Sequence, residues 1–259
     1  MKTLLFIVDM QNDFCSPQGA LYVPNAEADV DNLVAFIQKN SAQIDGVVLT
    51  QDSHHVLDIS HPSFWMDAQG HSPAPFTGIS LQDVASGRWM PRFEADRVRM
   101  YIEQLELQGE YPHTIWPEHC LIGSQGAAFV AALMDALATW ARNGRYYSVF
   151  AKGANPLTEH FGALRANIPL EDAPETCLNQ SLLAELMRYD RIVVAGEAKS
   201  HCVANTIHQM ADFPSVISKT ILLADCTSNV PSFETIADPI YQKAHALGMV
   251  SVLSNDLTL

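Results

Sequence analysis

Short apolar runs rich in β-branched residues recur along the chain, and stretches with helical spacing of apolar positions lie between them. The runs are Leu4 to Val8, Gly46 to Thr50, Tyr147 to Phe150, Arg191 to Ala195, Val216 to Leu223 and Met249 to Leu253. Among the intervening stretches, Ala26 to Lys39 carries Val30, Leu33, Val34 and Ile37 on one stripe, and Gln125 to Arg142 carries Phe129, Leu133 and Leu137. Strands alternating with amphipathic helices predict an α/β fold, a doubly wound parallel sheet whose helices cover it.

One interval breaks the rhythm. From about Pro62 to Pro117 a Gly/Ser/Pro-rich stretch leads into a predicted helix from Glu94 to Leu107. Few apolar anchors are apparent there, so the interval is read as an insertion bordering the functional site and residues 1–259 as a single domain.

Composition narrows the class. With 259 residues, 48% of them hydrophobic and 17% charged, the chain has enough apolar surface for one large core. Acidic residues outnumber basic ones by 29 to 15, a formal charge of -14. That balance argues against general affinity for nucleic acid or anionic membranes and suits a small neutral or cationic substrate. Five cysteines, odd in number and without a CxxC pair, fit neither a disulfide framework nor a zinc finger, and a reducing cytoplasm is expected. Leu4 to Val8 ends in Asp9 without a small-residue cleavage site, and no apolar run reaches the ~20 residues of a membrane span.

Ligands of open α/β sheets bind beyond the carboxyl ends of the strands. Asp9 follows the first predicted strand, Asp52 the second, Lys152 the third, and Cys202 stands just beyond the fourth. A cysteine ahead of a helix over Val203 to Met210, with a lysine nearby, is expected to favour its thiolate. An aspartate beside it can take the thiol proton and return it to a leaving amine. Singly, such residues are more often packing, turn or surface groups. Their convergence on one sheet edge makes a nucleophilic site the better reading. A second set is Asp52-x-His54 with His119, two imidazoles and a carboxylate that suit Zn, Mn or Fe with positions open for water or substrate. His61 is the best candidate for a further ligand. His113, His160, His201 and His208 are read as structural or surface residues, and the other four cysteines as packing residues.

Taken together, Val8-Asp9-Met10-Gln11-Asn12-Asp13-Phe14, Gln51-Asp52-Ser53-His54, Trp116-Pro117-Glu118-His119-Cys120, Lys152-Gly153 and Gly196-Glu197-Ala198-Lys199-Ser200-His201-Cys202-Val203 resemble the isochorismatase-like cysteine hydrolases, the nicotinamidases in particular. The match runs in order across nearly the whole chain. It implies a six-stranded parallel sheet with helices on both faces, a triad of Asp9, Lys152 and Cys202, and a divalent metal on Asp52, His54 and His119, zinc first with Mn or Fe as alternatives. It also implies a cis peptide at Glu197-Ala198, whose expected use is to aim the Ala198 N–H, with that of Cys202, at a substrate oxyanion. Phe14 and Trp116 are candidates to sandwich a flat ring. The implied reaction is hydrolysis of nicotinamide through a Cys202 thioester. Oligomerisation is common in the family, but no residue here requires it.

The chain also departs from the usual nicotinamidase pattern. Gly153-Ala154-Asn155-Pro156-Leu157-Thr158-Glu159-His160-Phe161 replaces an Asp-Ser-Tyr-Ser segment, the insertion is long, and Glu197 stands where an apolar residue is usual. A relative acting on another small amide or ureido compound is therefore the first alternative. A non-catalytic binding protein of the same fold is the second, although it would be expected to have lost part of the triad.

Overall fold

The computed structural model describes residues 1–259. Strands β1 (Thr3–Val8), β2 (Gly46–Asp52), β5 (Tyr147–Lys152), β6 (Arg191–Gly196), β7 (Thr220–Leu223) and β8 (Val250–Val252) form one sheet, in the order β5-β2-β1-β6-β7-β8. All of its pairings are parallel. The two short strands β3 (Trp65–Met66) and β4 (Met90–Pro91) pair apart from it, antiparallel. The helices are α1 (Asn12–Cys15), α2 (Ala26–Lys39), α3 (Leu81–Ser86), α4 (Ala95–Gln108), α5 (Ala131–Ala141), α6 (Gln180–Met187), α7 (Ala204–Met210), α8 (Pro214–Ile217) and α9 (Asp238–Ala246).

The sheet order follows from right-handed crossovers, which send successive strands outward in two directions from β1. Helices α2 and α5 pack together on one face, while α7 packs with α8 and α9 on the other. Every residue of β1 is buried, as expected of a central strand covered on both faces. The predicted strands hold within a residue or two, with one exception. Val216 to Leu223 divides into α8 and β7, because Pro214 opens a helical turn that takes up Val216 and Ile217. The predicted helix from Gln125 is also shorter at its start. Its first residues form a turn instead, with Phe129 bridging Gln11 and the Ala127 carbonyl accepting from the Gln11 and Gln51 side chains.

The 62–117 interval has more apolar anchors than its sequence suggests. Phe64, Trp65, Ile79, Val98, Tyr101, Ile102, Leu105 and Ile115 form a small core with Ile59 and Ile168, separate from the main one. Helix α4 supplies four of these through 3.6-residue spacing, and the rest come from the Phe64-Trp65 pair and scattered positions that show no period. No helix is long and apolar enough to cross a membrane.

Candidate active site

The strand register brings the sheet's carboxyl ends level. Val8 pairs with Gly196 and Asp52 with Lys152, so Asp9, Asp52, Lys152 and the segment after Gly196 meet above one edge. Gly196 is required there. At its φ of +124° a Cβ would lie 1.9 Å from the Val8 carbonyl oxygen, so only glycine lets β6 end against β1. The Glu197-Ala198 peptide that follows is cis. Cys202 lies in a wide π turn, Lys199–Val203, that runs into α7, a distortion often found at functional sites.

Lys152 is the hub. Its Nζ stands 2.8 Å from Asp9 Oδ2, 3.0 Å from Asp52 Oδ1, 2.9 Å from the His160 carbonyl oxygen and 3.6 Å from Cys202 Sγ. Burial alone would favour neutral lysine, but the Asp52 and Asp9 carboxylates hold its pKa well above the ordinary value. Asp9 is fully buried, and its other oxygen accepts from Thr50 Oγ1 at 2.6 Å. Burial pushes its pKa up, against the pull of Lys152. The Cys202 thiol is also pushed well up. Burial outweighs Lys152, and Asp9 and Asp52 add to the rise. These surroundings oppose the expected thiolate and favour a thiol beside a carboxylate able to receive its proton.

Asp52 joins this group to the second one. Its Oδ2 lies 3.1 Å from His54 Nε2 and 3.6 Å from His119 Nε2. The ligand atoms of Asp52, His54 and His119 all lie within 4.8 Å of one another, and the two separations bracket the edge of about 3.4 Å that tetrahedral zinc coordination requires. The distant His119 is brought in by a bridge between residues 54 and 121, where His54 N–H donates to the Cys120 carbonyl and Ile122 N–H to that of His54.

The donor set suits a divalent cation. His119 Nδ1 faces the Pro117 carbonyl at 2.8 Å and His61 Nδ1 that of Val56 at 3.3 Å, so in both rings Nδ1 carries the proton and Nε2 presents its lone pair. His61 Nε2 is buried without a partner, and its ring centre lies 5.2 Å from that of His54 and 5.5 Å from that of His119. His54 Nδ1 faces Asp58 Oδ2 at 3.1 Å. Burial would lower the His54 pKa, but Asp52 and Asp58 raise it well above the ordinary value, and a bound cation would take the place of its Nε2 proton.

Beside both groups lies a small, mainly apolar pocket. Phe14, Leu21, Trp116, Phe161, His201 and Val230 form its walls, and Ala198, Cys202, Asp52, His119 and Glu159 complete its lining. The Ala198 N–H donates to no group of the protein. His201, read from sequence as structural or surface, is a wall residue. Its ring packs 5.0 Å from Trp116, and burial lowers its pKa to about 3, so it is neutral.

Several supporting residues escaped the sequence reading. Gln11 clamps the Asp52 main chain, donating to its carbonyl at 2.8 Å and accepting from its N–H at 2.7 Å. Asp13 accepts from the Cys120 N–H at 2.6 Å and steadies the loop that bears His119. The available signal was a run of polar residues, Gln11 to Asp13, shortly after the end of β1.

No family model matches the chain. Its sequence is similar to a nicotinamidase of Escherichia coli (strain K12), with 29% identity over 204 residues covering 78% of this chain and 73% of that protein. It is also similar to a nicotinamidase of Saccharomyces cerevisiae, with 25% identity over 252 residues covering 96% and 99%. The fold matches the yeast nicotinamidase bound to the inhibitor nicotinaldehyde, with a TM-score of 0.68, 21% identity and coverage of 97% and 99%. It also matches the Pyrococcus horikoshii pyrazinamidase in complex with zinc, with a TM-score of 0.58, 18% identity and coverage of 98% and 99%. The fold is the six-stranded parallel α/β sheet of these nicotinamidase and pyrazinamidase structures. Within that fold the chain is nicotinamidase-like.

Proposed function

We propose that the protein is a metal-dependent cysteine amidohydrolase that converts nicotinamide and water to nicotinate and ammonia. The observation that carries this reading is the position of Lys152, within reach of both Asp9 and the Cys202 sulfur beside an aromatic pocket. Asp9 takes the Cys202 proton as Sγ attacks the amide carbonyl carbon. Lys152 stabilises the charge that develops, and the N–H groups of Ala198 and Cys202 receive the oxyanion. The C–N bond breaks as Asp9 returns the proton to the leaving ammonia. Water, deprotonated by Asp9, then attacks the thioester, and nicotinate leaves as the thiol is re-formed. The raised proton affinities of Asp9 and Cys202 suit a proton that shuttles between them at neutral pH.

Asp52, His54 and His119 would hold the cation, with His61 Nε2 in reach as a further ligand. Zinc suits this donor set first, with Mn or Fe as alternatives. When bound, the ion supplies Lewis acidity at the pocket wall, for a ring nitrogen or a water. Phe14 and Trp116 sandwich the flat ring. Residues 1–259 act as one domain with the 62–117 insertion beside the pocket, in the cytoplasm, on a small-molecule amide, with no nucleic-acid or membrane partner.

A second reading rests on the segment after Lys152, where Glu159 joins the pocket lining and the Asp-Ser-Tyr-Ser pattern is absent. There the same chemistry acts on another small amide or ureido compound. Ammonia release from nicotinamide and an amide panel, with Zn, Mn or Fe added and Cys202→Ala as control, separates the two. Release from nicotinamide that the control lacks supports the first reading, and release only from another amide replaces the substrate. No release from any amide by metal-loaded protein would overturn both.

A further inference from the structure

The peptide that carries Ala198 is braced by a buried pair of acids. Glu197 is wholly buried, and Asp29, in the first turn of α2, is 5% exposed. Glu197 Oε1 and Asp29 Oδ2 are both buried without a donor, and the two carboxyls lie close enough for each to shift the other's pKa. Burial and Asp29 push the Glu197 pKa well up, and no cation opposes them. Nearby titratable groups give no compensation: Cys15 from α1, Glu27 from α2, Asp225 from the loop after β7, and Tyr241 from α9. Lys199 directs its ammonium over the Tyr241 ring, 5.9 Å away. Two neighbouring carboxyls in such a setting favour a state in which one proton is shared between them.

The pair holds one residue of the neighbouring loop. Glu197 Oε2 accepts the Ser228 N–H at 3.1 Å, and the Lys199 N–H donates to the Ser228 carbonyl at 2.8 Å. Both neighbours of Ala198 therefore grip Ser228. The ladder continues on either side, with Gly196 N–H to the Cys226 carbonyl at 3.0 Å and Val230 N–H to Ser200 Oγ at 3.0 Å. Ser200 Oγ in turn meets Nδ1 of the pocket-wall residue His201 at 2.9 Å. The Glu197 rung is the one made by a carboxyl, and an apolar residue at this position would not make it.

We propose that Glu197 is a positioning residue, whose carboxyl holds Ser228 and so fixes the Ala198 N–H beside Cys202. This rests on the amidohydrolase reading above. Glu197→Leu removes the rung, whereas Glu197→Gln keeps a donor for Asp29 and an acceptor for Ser228 but cannot ionise.

The test measures kcat and KM for ammonia release against pH in full-length metal-loaded protein, beside the rate at which iodoacetamide alkylates Cys202, read by peptide mapping. Glu197→Leu is expected to lose about ten- to a hundredfold in kcat, with KM and Cys202 alkylation within about threefold of wild type. Glu197→Gln is expected to retain neutral-pH kcat within about threefold. Wild-type kcat should also fall at alkaline pH, where the shared proton is lost, more steeply than that of Glu197→Gln. The proposal is overturned if Glu197→Leu keeps full kcat, if its alkylation falls in step with kcat, if Glu197→Gln is equally impaired, or if the alkaline limbs coincide. Wild-type protein inactive on every amide overturns the amidohydrolase reading and this proposal with it. An active wild type beside a fully active Glu197→Leu overturns only the proposal.

Discussion

Replacing Lys152 with methionine preserves most of the side-chain length and removes the charge at the centre of the site. The Lys152 side chain is 2% exposed and lies 2.8 Å from one carboxylate and 3.0 Å from a second. Its loss leaves Asp9 and Asp52 as buried, adjacent anions, with Asp52 still beside His54. Removing one partner of a buried ion pair costs about 3–5 kcal/mol. For a chain of this size that lowers Tm by roughly 6–20 °C, at about 2–4 °C per kcal/mol. The sign of the pH dependence follows from proton uptake. Burial already raises the Asp9 pKa against the pull of Lys152, and without that pull it rises further, so the folded variant takes up a proton at higher pH and gains stability as pH falls. Wild-type Asp52 is held well below the ordinary range by Lys152 and His54 despite its burial, and gains nothing there. The gap between the two proteins should therefore be widest near pH 8 and narrow toward pH 5. Calorimetry at both pH values, on metal-free protein, measures it. A variant within about 1 kcal/mol of wild type, or a gap independent of pH, would refute the reasoning.

Asp58→Asn weakens the hold on His54 Nδ1, which lies 3.1 Å away, and should lower metal affinity about 10–100-fold in a competition titration with a chromophoric chelator. Because binding displaces the His54 proton, wild-type affinity should fall as pH drops. Asp9→Asn should lower kcat about 10²–10⁴-fold and slow Cys202 alkylation, since the thiol loses its proton acceptor; unchanged alkylation would count against that role. Trp65→Ala empties the centre of the small second core and breaks the bond from Trp65 Nε1 to the Ile59 carbonyl. Urea unfolding should show a loss of about 3–5 kcal/mol.

The parallel sheet was legible because its strands are short continuous apolar runs, and the chemical groups follow from where those runs stop. Asp9, Asp52 and Lys152 are each fixed by a strand end, and the structure brings all three together with Cys202. His119 was named with Asp52 and His54 from the sequence, but no strand end fixes it: the bridge between residues 54 and 121 and the Asp13 bond to Cys120 carry it to Asp52. What opposes a Cys202 thiolate is invisible in sequence, because burial and two neighbouring carboxylates are properties of packing, whereas the lysine that favours it can be read directly. The second core was missed because Phe64-Trp65, Ile79 and Ile115 lie far apart in sequence, with no period that links them, and converge only in the fold. His201 reads as one more polar residue in a run of them, and its place on the pocket wall depends on the π turn that precedes α7.

The central claim is a covalent thioester on Cys202. Rapid-quench mass spectrometry of metal-loaded protein mixed with nicotinamide, followed by peptide mapping, tests it directly. The account predicts a transient adduct of one nicotinoyl group on the Cys202 peptide, formed as ammonia is released and lost as nicotinate appears. Ammonia release with the adduct on another residue, or persisting undiminished in Cys202→Ala, would contradict it.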